Sequence, residues 1–258
     1  MAWNAKPLNG YELDSNEAKE NANQVASIFS YNGFSLLSYS AICGAFQQEC
    51  SMNPWQWEGN DIQPSYGFSG YVGYGLPQFT PGDDYPSGYL GVANTLGDAQ
   101  INANYSPHFS DSMGTPNDGA AQCYFIARYH LTDPRYGWFT GDLSSPYESL
   151  ISSYISASDA HIAVTMPVSN FITGLDSSNN PYSIDAMIGA FVSCYLRPNR
   201  DDVSRLFGST YLTYARWYYN YFSGQPQPPD PPVPPVPPTP TDSERHIKPW
   251  WYTRFIRR

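Results

Sequence analysis

The pattern of apolar and polar positions predicts a helix near the start of the chain. Apolar residues recur every three or four positions and form a stripe along one helix face, made of Ala18, Ala22, Val25 and Phe29. Asp14 and Glu17 have the spacing of a capping box, in which each side chain accepts a hydrogen bond from the other residue's backbone amide. Asn32-Gly33 is a typical helix stop. We therefore expect a helix between these signals.

A second helix is predicted from about Leu36 to Glu49, ended by Met52-Asn53-Pro54. Within it Ile42, Phe46 and Glu49 fall at positions i, i+4 and i+7, and so share a face. The pattern places a carboxylate in line with an apolar stripe that must face the core.

Helical signals continue in the second half of the chain. One helix is predicted to start at Ser145-Pro146 and to carry an apolar face as far as Ile155. Further helices are predicted over 119–131, 159–172, 183–196 and 201–222, the last with a break at Gly208. Residues 55–100 lack a helical period and are rich in Gly, Pro, Tyr and Asp, which favours loops with a short hairpin. We predict a mainly α domain whose irregular lobe forms a cleft.

A change in composition marks the end of this domain. Residues 224–242 contain ten of the 24 prolines and are expected to form an extended polyproline II spacer. Residues 243–258 carry five Lys and Arg against one acid, whereas residues 1–242 have a net charge of −14. We predict an N-terminal arm over 1–15, a main domain over 16–223, the spacer, and a basic aromatic segment that docks on another protein.

Composition and charge exclude several classes of protein. With 258 residues, 41% of them hydrophobic, the chain can bury a core and is not disordered throughout. A net charge of −10 disfavours binding to nucleic acid, which requires clustered Lys and Arg. The longest apolar stretch, 186–196, is shorter than the ~20 residues of a membrane helix, and the first residues lack a secretory signal. We expect a soluble protein without a nucleic-acid partner or a membrane span.

The cysteines and histidines indicate neither a metal site nor a disulfide framework. The four cysteines lack a CxxC spacing and are expected to be buried, reduced thiols. Cys43 and Cys50 lie too far apart along the second helix to form a bridge. The four histidines lack the HExxH spacing of a zinc peptidase. We expect no metal and no other cofactor.

Glu49 is the strongest candidate for chemistry. Its position on an apolar face predicts partial desolvation, and the negative end of the helix dipole lies close by. Both effects are expected to raise the pKa of Glu49, which suits a general acid near neutral pH. The alternative is a glutamate at a frayed helix end whose ionised form reaches water.

The loop lobe adds aromatic side chains and further carboxylates. Aromatic residues in a polar, Gly-rich stretch can stack on sugar rings, or they can form a secondary core under the loops; they include Trp55, Trp57, Tyr66, Phe68, Tyr71 and Tyr74. The loop carboxylates offer partners for Glu49 in a two-carboxylate hydrolysis, or are plain surface charges; they are Glu58, Asp61, Asp83 and Asp84.

Two segments carry a resemblance to a known family. Residues 41–54 read Ala-Ile-Cys-Gly-Ala-Phe-Gln-Gln-Glu-Cys-Ser-Met-Asn-Pro, and residues 73–80 read Gly-Tyr-Gly-Leu-Pro-Gln-Phe-Thr. This resembles the phage tail lysozyme family, in which a helix ends in Glu-Ser near an Asn-Pro, and Tyr-Gly-Leu-x-Gln-Trp/Phe-Thr follows. Residues 190–198 and 214–219 are similar to the closing motifs of that family. The resemblance extends over about residues 16–222 and implies an α+β lysozyme-like fold.

The resemblance also implies roles for individual residues. Glu49 looks like the general acid that protonates the glycosidic oxygen. Gln78 is implied to line the subsite next to the scissile bond, with Tyr74 and Gly75 shaping that wall, and Tyr195 to close the cleft. The sequence departs from the family in two places: Cys50 stands where a Ser is usual, and Pro77 precedes Gln78.

The sequence leaves the mechanism open. Glu58 or Asp61 is a possible second carboxylate. A carboxyl separation of about 6.5–9.5 Å would favour direct attack by water, and one of about 5–5.5 Å a covalent or ion-pair route. If neither residue faces Glu49, that residue acts alone and the product is the anhydro sugar of a lytic transglycosylase.

The implied substrate is the glycan strand of peptidoglycan, cut at the β-1,4 bond between N-acetylmuramic acid and N-acetylglucosamine. Peptidoglycan is anionic, so an acidic enzyme meets it slowly by diffusion. We therefore expect a protein of the phage virion, bound to other tail proteins through residues 243–258 and carried to the wall during DNA entry. The alternatives are a non-catalytic structural or wall-binding tail protein and an endolysin released at host lysis.

Overall fold

A computed structural model describes residues 3–4, 13–54, 75–77, 118–134 and 137–225. These residues are mostly helical and contain no named strand, which confirms the mainly α prediction. One isolated antiparallel bridge joins Leu175 and Pro181. The predicted hairpin of the loop lobe and the segments after residue 225 lie outside the described residues.

The described α-helices are, in chain order, α1 (Ser15–Tyr31), α2 (Leu36–Cys50), α3 (Asp118–Arg128), α4 (Glu148–Ile151), α5 (Ala157–Thr165), α6 (Val168–Thr173), α7 (Ile184–Ala190), α8 (Arg200–Leu206) and α9 (Leu212–Ser223). Short 3₁₀ turns cover His130–Thr132, Gly141–Leu143 and Ser145–Tyr147, and π-helical turns cover Phe191–Leu196 and Phe207–Tyr211. No helix in this part of the chain is both long and apolar enough to cross a membrane.

The first helix begins as the sequence predicts. Asp14 Oδ1 accepts hydrogen bonds from the backbone amides of Asn16 and Glu17, both at 2.9 Å. Glu17 Oε2 in turn accepts one from the backbone amide of Asp14 at 2.8 Å. This reciprocal pair satisfies amides that a helix start leaves without partners. Gly33 has a φ of +86°, the left-handed conformation expected at the helix stop.

Two helix predictions were wrong in extent. The predicted helix 159–172 is two helices, α5 and α6, because Pro167 cannot continue the hydrogen bonding of a helix and Met166 before it is extended. The helix predicted from Ser145 ends at Ile151 rather than Ile155. The predicted break at Gly208 is confirmed, and it takes the form of the π turn between α8 and α9.

The chain divides into two compact units. Of the described residues, the first unit holds 3–4, 13–21, 49–54, 75–77 and 118–125, and the second holds 22–48, 126–134 and 137–225.

The second unit has an aromatic core. The ring of Phe191 stacks on Phe171 at 5.6 Å and meets Phe46 edge-on at 6.3 Å, and all three side chains are fully buried. In the same unit, a Cβ on Gly44 would lie 2.5 Å from the backbone nitrogen of Ala215. Glycine is therefore required where α2 packs against α9.

In the first unit, residues 3 and 4 contact α1 and α3. The backbone amide of Asn4 donates to Asn21 Oδ1 at 2.9 Å, and Asn21 Nδ2 donates to the Asn4 carbonyl at 2.7 Å. The buried Trp3 ring lies against Gly119 of α3, where a Cβ would approach it to 2.5 Å.

Candidate functional site

Glu49 lies in the last turn of α2, the position that the sequence predicts for it. Its side chain is partly buried, whereas Cys50 after it is 1% exposed. Glu49 is therefore a partly buried residue at the point where the chain leaves the helix.

Cys50 is a neutral thiol beside this carboxyl group. Burial raises the pKa of Cys50 well above its ordinary value, the charge of Glu49 raises it further, and the backbone amides of Met52 and Asn53 oppose the shift. All four cysteines of the chain are buried as unbridged thiols, which confirms the prediction for them.

The turn after Glu49 has an unusual backbone. Ser51 and Met52 both have positive φ, 52° and 63°, a region that residues with a side chain seldom adopt. The backbone amide of Asn53 donates to the Cys50 carbonyl at 2.9 Å, and Asn21 Nδ2 donates to the carbonyl of the fully buried Met52 at 2.9 Å. Because two consecutive residues of this kind cost free energy, the contacts around the turn must hold it in place.

Gln122 of α3 joins this turn to the segment Gly75–Pro77. Its Nε2 donates to the Pro54 carbonyl at 2.8 Å, and its Oε1 accepts from the backbone amide of Leu76 at 2.7 Å. The side chain of Gln122 is fully buried, and so is that of Leu76. One side-chain amide thus links the segment that follows Glu49 to the segment that precedes Gln78.

Gly75 is placed by the same contact. Its φ is +77°, and a Cβ at this position would lie 2.3 Å from Gln122 Oε1. Both the backbone conformation and the close approach of the amide require glycine. The structure therefore brings Gly75 and the Glu49 turn together, both in the first unit.

Most of the predicted site residues of the loop lobe lie outside the described residues. They are Tyr74 and Gln78, on either side of the segment Gly75–Pro77, the two possible second carboxylates Glu58 and Asp61, and the further candidates Trp55, Trp57, Tyr66, Phe68, Tyr71, Asp83 and Asp84. Their roles stay predictions.

Tyr195 lies in the second unit, on the π turn after α7. It is 6% exposed, its ring packs on Phe191 at 4.9 Å, and its hydroxyl lies 2.7 Å from Nδ1 of His130. Burial raises the pKa of Tyr195, so the hydroxyl is neutral over the physiological range. These contacts fasten Tyr195 within its own unit, and its predicted role in closing a cleft stays a prediction.

Sequence reasoning missed Asn21 and Gln122. Both are amides on helix faces whose other members are apolar, with Ala18, Ala22 and Val25 near the first and Phe125 and Ile126 near the second. A buried amide needs hydrogen-bond partners, so such a position is itself a signal. The partners were not predictable, because Gln122 bonds residues 46 and 68 positions away.

The arrangement can hold a carboxyl group at a fixed place at the end of a helix. The turn after it is bonded at two carbonyls by two side-chain amides, and the segment with Gly75 is fixed by one of the same amides. Within the part of the chain that the structure describes, no group of three His, Cys, Asp or Glu side chains is placed to bind a metal ion.

Comparison with known families gives one match. The model of the family described as Phage tail lysozyme matches residues 20–222, most of the chain. The match includes Glu49, Gly75, Gln78, Gln122 and Tyr195, and it ends where the proline-rich segment begins. Among curated proteins, no relative matches.

Proposed function

We propose that this chain, which belongs to the phage tail lysozyme family, cuts the β-1,4 bond between N-acetylmuramic acid and N-acetylglucosamine, with Glu49 as the general acid. Membership of that family supports a glycosidase that acts on peptidoglycan. The observation that carries the proposal is the placement of Glu49. It is partly buried at the end of α2, and the side chain of Gln122 joins the turn that follows it to the segment Gly75–Pro77.

The chemistry asked of Glu49 is proton donation to the leaving glycosidic oxygen. For that it must hold its proton near neutral pH. Partial burial and the negative end of the α2 dipole both favour the neutral acid, so a raised pKa of Glu49 is part of the proposal. Cys50 beside it is a neutral thiol and adds no charge next to the carboxyl group.

We propose that a second catalytic carboxylate, if the enzyme uses one, comes from the loop lobe. Glu58 and Asp61 are our candidates for a second carboxylate across from Glu49, with Gln78, Tyr74 and Gly75 lining the sugar subsite. Tyr195 is the candidate for the aromatic that closes the cleft. With a second carboxylate the enzyme is a muramidase, and without one it is a lytic transglycosylase.

The acidic body is consistent with an enzyme delivered in place. Residues 1–242 carry a net charge of −14, which slows encounter with an anionic wall, whereas residues 243–258 carry +4. We propose that the protein is part of the phage tail, held there by the basic segment at the end of the proline-rich spacer. It then opens the wall locally as DNA enters.

A pair of matched substitutions tests the catalytic assignment. Glu49→Gln removes the proton and keeps the size of the side chain, and Glu148→Gln makes the same change at a partly exposed glutamate of the second unit. On purified peptidoglycan we expect Glu49→Gln to release soluble glycan about 10²–10⁴-fold more slowly than wild type, since that is the usual contribution of a general acid. Glu148→Gln should match wild type.

The outcomes separate the candidate functions. A folded Glu49→Gln variant with wild-type activity contradicts the assignment of Glu49. A wild type that binds peptidoglycan but releases nothing indicates a structural or wall-binding tail protein. An active wild type that mass spectrometry does not find in purified virions indicates an endolysin.

A further inference from the structure

Gln122 makes two hydrogen bonds of opposite sense. Its Nε2 donates to the Pro54 carbonyl, and its Oε1 accepts from the Leu76 amide. Only a side-chain amide in one orientation satisfies both partners, because an ionised carboxylate accepts only and an apolar side chain does neither. The side chain is fully buried, so water cannot replace a lost partner.

The two partners belong to the two segments that flank the proposed chemistry. Pro54 ends the turn that begins at Glu49, and Leu76 lies two residues before Gln78. The positive φ values of Ser51 and Met52 mean that this turn is held by its surroundings rather than by local preference. A change in the bond at Pro54 is therefore expected to move the end of α2.

Gly75 fits the same interpretation. Its φ of +77° turns the chain so that the Leu76 amide points at Gln122 Oε1, and the lack of a Cβ lets the amide approach. The hydrogen bond of the Leu76 amide thus requires the left-handed backbone of Gly75. Simple van der Waals packing of the two segments would not require that conformation.

We propose that Gln122 is a positioning residue. It sets the distance and orientation between the carboxyl group of Glu49 and the segment Gly75–Pro77. This inference rests on the proposed function, because it assigns to Gln122 the placement of that function's acid relative to the sugar subsite. Gln122 acts through Pro54 and Leu76, and it does not touch the substrate.

The test uses the full-length protein with two substitutions at this position. Gln122→Met keeps the length of the side chain and removes both hydrogen bonds. Gln122→Glu keeps an acceptor for the Leu76 amide, and it has a donor for the Pro54 carbonyl only when its carboxyl group is protonated. We measure turnover at saturating purified peptidoglycan, peptidoglycan binding by sedimentation, and the folded fraction at each pH by circular dichroism.

We expect Gln122→Met to lower turnover per folded molecule about 10–100-fold, since a misplacement of about 1 Å at a reacting group has effects of that size. Binding should change less than turnover. For Gln122→Glu, the ratio of its turnover to that of wild type should rise as the pH falls from 8 to 5, because protonation restores the donor. A purely structural role predicts no such pH-dependent recovery per folded molecule.

Ser144→Ala is the matched control for lost stability. It removes a buried hydrogen bond of similar kind, from Ser144 Oγ to the Val164 carbonyl at 2.7 Å in the second unit. It should lower the melting temperature and leave turnover per folded molecule unchanged.

Each outcome has a defined consequence. A folded Gln122→Met with wild-type turnover overturns the positioning role, and so does a Gln122→Glu whose turnover stays low from pH 8 to pH 5. In either case an active wild type and an inactive Glu49→Gln leave the proposed function in place. If Gln122→Met does not fold, the pH series of Gln122→Glu decides. An inactive wild type overturns the proposed function, and this inference with it.

Discussion

The hydroxyl of Tyr195 lies 2.7 Å from Nδ1 of His130, in the second unit of the protein. Burial lowers the pKa of His130 from 6.5 to about 4; the charge of Asp133 raises it and that of Arg197 lowers it. The folded protein therefore holds this imidazole neutral at a pH at which the unfolded chain protonates it.

The first prediction is a loss of stability in acid. Because the pKa of His130 is lower in the folded state, the unfolded state binds the proton first as the pH falls below 6.5. The loss is complete near pH 4, and it amounts to about 3 kcal/mol of unfolding free energy. Urea denaturation between pH 7 and pH 4 measures it.

The control for this prediction is a second histidine. His130→Gln should flatten the pH dependence in this window, and His161→Gln, at a side chain that is 67% exposed, is the substitution with which it is compared. An unchanged pH dependence in His130→Gln would show that other groups cause the loss.

The second prediction concerns Tyr195. Tyr195→Phe removes the hydroxyl and leaves a ring nitrogen of the partly buried His130 without this partner, so we expect a loss of about 1–3 kcal/mol in unfolding free energy. Peptidoglycan binding at a temperature where the variant is folded should stay close to wild type. A variant with wild-type stability and weakened binding would instead show that the hydroxyl contacts the sugar.

The third prediction concerns Gly75. Gly75→Ala introduces a side chain at a φ of +77° and drives a Cβ to 2.3 Å from Gln122 Oε1. We expect a loss of about 2–4 kcal/mol from the left-handed backbone and the forced contact together.

Gly141→Ala is the matched control, because Gly141 has a φ of +80° and nothing within 4 Å of its Cβ position. It should cost only the backbone part, about 1–2 kcal/mol. Thermal melts of the two variants compare them directly. Equal losses would mean that Gln122 moves away from position 75 without cost.

Local signals predicted the helices well. The capping box joins Asp14 and Glu17, which are only three positions apart in the sequence, and the structure contains both of its hydrogen bonds. The end of α2 near Glu49 was also predictable, since Pro54 and the loss of helical period mark it. The single helix predicted over 159–172 was wrong because the apolar pattern continues across Pro167. A proline disfavours a helical conformation of the residue before it, and this effect outweighed the pattern.

The arrangement around Glu49 was only partly predictable. Glu49 and Gly75 were found from a motif, but the amide that joins their segments belongs to α3, and its partners are distant in the chain. No periodicity encodes such a bond. The π turn that places Tyr195 was likewise hidden, because its sequence has the same apolar pattern as an ordinary helix.

Mass analysis of the muropeptides released by wild type and by Glu49→Gln shows whether Glu49 donates the proton that breaks a glycosidic bond. We expect glycan fragments ending in reducing or anhydro N-acetylmuramic acid from wild type, and almost none from the variant. Fragments cut only in the peptide stems, or the same glycan products from a folded Glu49→Gln variant, would contradict that role of Glu49.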